Sequence, residues 1–246
     1  MKQPFLSVII PAHNEETRIL NTVSQLQSFF DSKSYSYEVL IIENGSTDNT
    51  YDIGKTLTEK MEGFNIISID EAGKGIAVKH GISLTTGKYR LIADSDFSMP
   101  VEEIEKFIPP VTDCEINIGS REVQGAVRYN EPPIRHFIGR VFNLMVRIIL
   151  FPDLKDTQCG FKCFRGDIAD EIFPYQSLKG WAFDVEVLQI ARLHGWKIKE
   201  IPINWYYFPG SKVNVFRDSL KMFLDLIRIK IMTQRKIYET KKEVTR

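Results

Sequence analysis

Two carboxylates one residue apart, Asp94 and Asp96, close the run Tyr89-Arg90-Leu91-Ile92-Ala93-Asp94-Ser95-Asp96. In an extended chain positions i and i+2 face the same side, so the pair is expected to look into one site. Two hard oxygen ligands suit Mg²⁺ or Mn²⁺, ions that usually bind through one or two carboxylates plus substrate phosphates. The competing reading is a solvated turn, since Asp and Ser are ordinary turn residues. A lone Asp-x-Asp occurs by chance in many proteins. The weight therefore falls on Asn14 and Glu15, Glu43 and Asn44, and Lys74, polar residues that also follow apolar runs. Open α/β sheets bind ligands at the carboxyl ends of their strands, where such residues would converge.

The elements that would position them alternate in type. Residues 6–10, 38–42 and 64–69 and the stretch from Tyr89 read as strands. Asn14 is a helix-capping type with Glu15 and Glu16 suited to a first turn, and that helix is expected to reach about Phe30. Further helices are expected from the turn at Asp48 to about Lys60 and from Gly75 to about Leu84. Strands alternating with helices argue an α/β chain with a mostly parallel central sheet. Residues 101–108 read as a short amphipathic helix, 114–118 as a strand and 125–133 as a polar loop.

The chain has 246 residues, 43% of them hydrophobic and 26% charged, which fits a globular chain with a sizeable core. Lys+Arg and Asp+Glu are both 32, so the balance gives no reason to expect a nucleic-acid partner. The end of the chain is basic, with Arg228, Lys230, Arg235, Lys236, Lys241, Lys242 and Arg246, and would suit an anionic membrane surface. Cys114, Cys159 and Cys163 make neither a disulfide framework nor a zinc spacing, and reduced thiols in a cytosolic compartment are expected. The apolar run 5–10 is too short for a signal peptide, and no stretch reaches the roughly 18 apolar residues of a spanning helix.

Four motifs in order carry a resemblance. They are Pro11-Ala12-His13-Asn14-Glu15, Glu43-Asn44-Gly45-Ser46-Thr47-Asp48, Gly73-Lys74-Gly75 and the Asp94-Ser95-Asp96 triplet. Together they resemble the nucleotide-sugar-binding half of family 2 glycosyltransferases, which have the GT-A fold. The usual second motif has two aspartates where this chain has Glu43 and Asn44. The resemblance implies donor contacts from Pro11, Ala12, Asn14, Glu15, Glu43, Asn44, Lys74, Asp94 and Ser95. Lysine meets phosphate as a point charge. It also implies a divalent ion, Mg²⁺ or Mn²⁺, on Asp96 first and Asp94 second, with the ribose as the alternative partner of Asp94. The third ligand position of related mannose synthases falls on Ser98.

Later stretches narrow the likeness: Asp156-Thr157-Gln158-Cys159-Gly160-Phe161-Lys162-Cys163-Phe164, Gly180 to Glu186, and Pro209-Gly210-Ser211-Lys212. They look like the branch that transfers sugars to polyprenyl or dolichyl phosphate. Mannose synthases of that branch tend to carry an Arg shortly before Gly-x-Ser-Lys; residues 204–208 offer none. The pattern of Trp205 followed by Pro209-Gly210-Ser211-Lys212 instead resembles the glucosyltransferase type, which implies UDP-glucose as donor and transfer with inversion. GDP-mannose, a different acceptor, or a non-catalytic nucleotide-sugar binder are the alternatives. By position in the resemblance, Arg121 and Arg135 are acceptor-phosphate anchors; Lys212 and Arg217 are candidates from their own charge. Asp156 would orient the acceptor or take a proton, with Asp184 as the alternative.

Residues 136–151 are expected to form a helix of about 24 Å, short of the roughly 30 Å hydrocarbon core. His136, Arg140, Asn143 and Arg147 form one polar stripe on it. An in-plane interfacial helix and a helix buried beside the site both remain open. A second amphipathic helix, 215–237, favours the membrane surface for the pair. The expected division is a GT-A domain over 1–214 and an amphipathic, basic helix and tail over 215–246. A peripheral enzyme on the cytoplasmic side of a membrane follows, with a membrane partner subunit as a further possibility.

Overall fold

The first strand, β1 (Leu6–Ala12), is buried along its whole length, and its apolar composition is what a strand covered on both faces requires. Alternation splits it between two layers. Leu6, Val8 and Ile10 pack with Ile19, Val23 and Leu26 of the first helix; Ile9 packs on the opposite face with Val78 and Ile82. The computed structural model describes residues 3–208 and 215–239.

After β1 come α1 (Ile19–Phe30), β2 (Tyr37–Asn44), α2 (Thr50–Thr58), β3 (Phe64–Ile69), α3 (Lys74–Leu84) and β4 (Tyr89–Ile92). The second half runs β5 (Ile116–Ser120), β6 (Val127–Tyr129), α4 (Pro133–Ile149), β7 (Lys162–Arg165), α5 (Gly166–Ile172), α6 (Phe183–Leu193), β8 (Ile198–Pro202), β9 (Asn204–Tyr206) and α7 (Val215–Gln234). The main sheet has the order β3-β2-β1-β4-β7-β5-β8. Only β7 runs against its neighbours. This is the α/β sandwich with a mostly parallel sheet that the alternation predicts. Residues of α3 to α7 form the second core, where α7 buries Leu226 and Ile229.

Several local expectations are corrected. Asn14 does not cap α1: it sits at φ 54° in the left-handed region, and the helix starts five residues later, after a turn closed by Arg18 and Ile19 N–H on the Glu15 carbonyl. Residues 125–133 are not all loop, because β6 pairs in parallel with β9 as a separate ribbon. The helix expected at 136 begins at Pro133, a residue whose fixed φ and missing N–H suit the first turn.

Candidate active site

The strand ends β1, β2 and β4 open on one cleft of about 950 Å³. The turns around it are tied to one another. The Asn14 side-chain oxygen accepts the Thr47 N–H at 2.8 Å, and the Asn14 N–H donates to Ser46 Oγ at 2.9 Å. The Asn44 amide satisfies two loops at once, donating to the Ala12 carbonyl and accepting the Gly73 N–H, each at 2.9 Å. Gly73 has φ 147°, and a Cβ there would lie 2.5 Å from the Lys179 carbonyl. Glycine alone fits that approach.

Pro11, Asn14, Glu15, Asn44 and Lys74 thus line the cleft. Glu43 and Ala12 do not. Glu43 is buried, accepting the Ser46 N–H at 2.5 Å and the Ser68 hydroxyl, so it binds the ends of β2 and β3 together. Ala12 is buried with its carbonyl on Asn44.

Asp94 and Asp96 both face the cleft, though by a different route from the one expected. The strand stops at Ile92, and a turn follows in which Phe97 adopts φ 42°. The reversed strand β7 explains how Asp94 is accommodated. Ile92 pairs with Lys162, and continuing that antiparallel register brings Gly160 opposite Asp94. A Cβ at Gly160 would lie 1.8 Å from Asp94 Oδ2, so the carboxylate occupies the room a side chain would need. Lys74 Nζ is 2.5 Å from Asp94 Oδ1 and 5.6 Å from the Trp181 ring centre. Burial opposes the Lys74 charge, but Asp94 and Asp184 outweigh it and raise its pKa. Burial, and then repulsion from Asp94, push the Asp96 carboxyl up, although the Ser98 N–H donates to it at 3.0 Å. Ser95 and Ser98 line the same pocket and are mostly buried.

The opposite wall is cationic and aromatic. Arg121 is held bidentate by Asp156, Nε to Oδ2 at 2.7 Å and Nη2 to Oδ1 at 2.9 Å. Burial alone would raise the Asp156 carboxyl; the Arg121 guanidinium overrides it and holds Asp156 at about 2. Asp156 is fully buried behind Arg121 and away from the cleft lining. In this placement both Asp156 carboxylate oxygens are turned to Arg121 rather than to the cleft. Arg121 and Arg128 lie 5.5 and 5.9 Å from the Trp205 ring centre, and Arg135 lies 4.9 Å from that of Tyr207. Asp184 does face the cleft, paired with buried Lys162 at 2.7 Å. Burial pushes its carboxyl up against the pull of Lys162 and Lys74. Lys212 and the Arg217 side chain lie outside the described residues.

The chain is similar to known proteins in sequence and in fold. The family model "Glycosyl transferase family 2" matches residues 7–173. The chain belongs to glycosyl transferase family 2. Within the family it is similar to the dolichyl-phosphate beta-glucosyltransferase of Saccharomyces cerevisiae, 36% identical over 97% of this chain and 78% of that protein. The Dictyostelium discoideum enzyme of the same name is 34% identical over 92% and 74%. Solved structures agree on the GT-A fold. Mannosyl-3-phosphoglycerate synthase from Rubrobacter xylanophilus superposes with a TM-score of 0.69 at 14% identity, over 98% of this chain and 77% of that one. Glucosyl-3-phosphoglycerate synthase from Mycobacterium tuberculosis, in complex with Mn²⁺, UDP-glucose and phosphoglyceric acid, gives 0.62 at 17%, over 98% and 81%.

The glycosyltransferase cleft also uses residues that sequence reasoning did not assign. Arg128 lies on β6 and Lys162 on β7, while Gly160 and Trp181 lie in the segments before β7 and α6; the last three fall in stretches that carried the resemblance, but without a role assigned to them. Arg128 binds Glu122 at 2.5 Å, Glu131 at 2.7 Å and the Arg121 carbonyl at 3.3 Å, so it braces the cationic wall. His13 also lines the cleft, with Nδ1 2.8 Å from the Asn44 carbonyl. Asp94 and Asp96 are two hard oxygen donors lining one pocket, the donor type that suits a divalent ion.

Proposed function

We propose that this family 2 enzyme transfers glucose from UDP-glucose to dolichyl or a related polyprenyl phosphate at a membrane surface, with inversion. One observation carries the reading. A single cleft joins an acidic pole with a lysine, Asp94, Asp96 and Lys74, to a pole of arginines on aromatic rings, Arg121 and Arg135. Two phosphate-bearing substrates need such a pair of poles. The close relatives named for this reaction support the choice of sugar and lipid.

The acceptor phosphate is already an anionic nucleophile. Its oxygen attacks the anomeric carbon as the bond to the UDP oxygen breaks, and UDP leaves with the electron pair. Asn14, Glu15 and Asn44 orient the nucleotide, and Lys74 meets the diphosphate. Asp94 and Asp96, with Ser98 beside them, would hold Mg²⁺ or Mn²⁺, which would supply Lewis-acid stabilisation of the leaving group. Arg121 and Arg135 fix the acceptor, guanidinium being shaped for phosphate oxygens. A monoanionic acceptor gives its proton to Asp184, whose raised pKa suits a base.

The membrane surface belongs to the same reading. Ile134, Phe137, Val141, Leu144 and Ile148 of α4 are exposed at spacings of three and four, as are Leu220, Phe223, Leu224, Ile227 and Ile231 of α7. Phe137 is 68% and Ile148 75% exposed. No helix among the described residues is long and apolar enough to cross a membrane. Helix α7 acts here with Leu226 and Ile229 in the core and its exposed apolar residues on lipid, and the basic residues that follow it in sequence add attraction to an anionic surface. The test is turnover of radiolabelled UDP-glucose and GDP-mannose with dolichyl phosphate in vesicles. Faster use of GDP-mannose overturns the donor assignment, and no lipid product from either overturns the acceptor.

A further inference from the structure

The cleft side of α4 carries Arg135, Ile138, Gly139 and Phe142, the i, i+3, i+4 and i+7 positions of one helix face. Arg135 stands at the phosphate end, over Tyr207. Phe142 lies about 10 Å further along the helix. Met222 of α7 and Phe208 line the same cleft, and α7 packs beside α4. The walls are cationic at the Arg135 end; beyond it the apolar Ile138, Phe142 and Met222 are joined by Asn143 and Lys221.

Gly139 stands in the middle of this face. Glycine in a helix interior costs about 1 kcal/mol relative to alanine, and tight packing usually explains it. That explanation holds elsewhere in the chain: a Cβ at Gly75 would lie 2.4 Å from the Leu178 carbonyl, and one at Gly81 2.4 Å from Ile9 Cγ2. At Gly139 it would meet nothing within 4 Å. The missing side chain serves no contact within the protein. It leaves space, and the space is in the cleft.

We propose that Gly139 is a specificity-determining residue for the acceptor. Its bare backbone keeps open a groove between α4 and α7 for the isoprenoid unit next to the phosphate. The inference rests on the lipid-phosphate reading above. The occupant follows from continuity: the groove leads directly from the arginine pole, and Ile138, Phe142 and Met222 suit hydrocarbon rather than a sugar or a nucleotide. A side chain at Gly139 would compete with the lipid for that volume.

The experiment compares wild type, Gly139→Ala and Gly139→Leu in the full chain. Both substitutions raise helix propensity, so both variants should unfold at or above the wild-type temperature. The Leu variant should raise KM for dolichyl phosphate by at least about tenfold, the scale on which a few carbons change occupancy of an apolar pocket. The Ala variant should fall between it and wild type. UDP-glucose affinity by calorimetry and co-sedimentation with lipid vesicles should stay unchanged, which separates a blocked groove from a damaged donor site or lost docking. An active wild type with a Leu variant of unaltered KM overturns this inference alone. A wild type inactive on dolichyl phosphate overturns the acceptor reading and this inference with it.

Discussion

Burial and Asp94 both disfavour the charge on Asp96. An acid whose pKa is raised on folding weakens the fold as pH climbs from its ordinary value through the raised one. Asp96→Asn should therefore unfold at the same temperature as wild type or higher at neutral pH. It should also slow transfer by at least about a hundredfold, the loss of roughly 3 kcal/mol of charge stabilisation. Excess chelator should have the same effect on wild type, reversed by Mn²⁺ or Mg²⁺; full activity in either case would refute the metal site. Asp156 has the opposite sign. Held at about 2 against an ordinary 3.8, it contributes roughly 2 kcal/mol that is fully present above its unfolded pKa and lost as pH falls toward 2. Asp156→Asn should flatten that acid limb. It should also raise KM for the lipid phosphate more than it lowers kcat, because Arg121 loses the partner that aims it. A kcat loss with KM intact would return Asp156 to the role of base. The aspartate pair was legible because two carboxylates close an apolar run. Gly160, Lys162 and Arg128 were not, because antiparallel register and ribbon pairing place them against residues far away in sequence.

Helices α4 and α7 each combine a buried and an exposed apolar side, which a sequence pattern cannot apportion. Phe142 reads from sequence as part of the wide apolar face, yet it is 5% exposed and packs in the second core. The residues that test the membrane contact are Phe137, Ile148 and Leu224. Changing each to Glu should lower co-sedimentation with anionic vesicles at least severalfold while the thermal midpoint holds, since none is part of a core. Raising salt should weaken the wild-type association without abolishing it, as expected where apolar burial and a basic tail act together. A wild type left in the supernatant at low salt would assign both stripes to a protein partner. The first four strands were readable because short apolar runs there are bounded by polar turns and separated by helical stretches. Among β6, β7 and β9, the three- and four-residue strands give no such signal.

At the scale of the molecule, the sheet is parallel except where β7 returns between β4 and β5. The chain between β5 and β7 is one long excursion that holds the β6 strand and α4. It leaves the sheet at Arg121 and comes back past Asp156, and those two residues grip each other where it begins and ends. Asp156 is also pinned to β8 through its N–H on Glu200 at 2.9 Å. A loop fastened at its neck pays little extra entropy when its interior changes length. An excursion fastened in this way is expected to tolerate exchange of residues 122–155 with the nucleotide half of the sheet left unchanged. A chimera carrying that segment from a relative with a water-soluble acceptor should keep UDP-glucose affinity within about threefold, a change of less than 1 kcal/mol. Loss of donor binding in a folded chimera would mean the two halves work only as a unit.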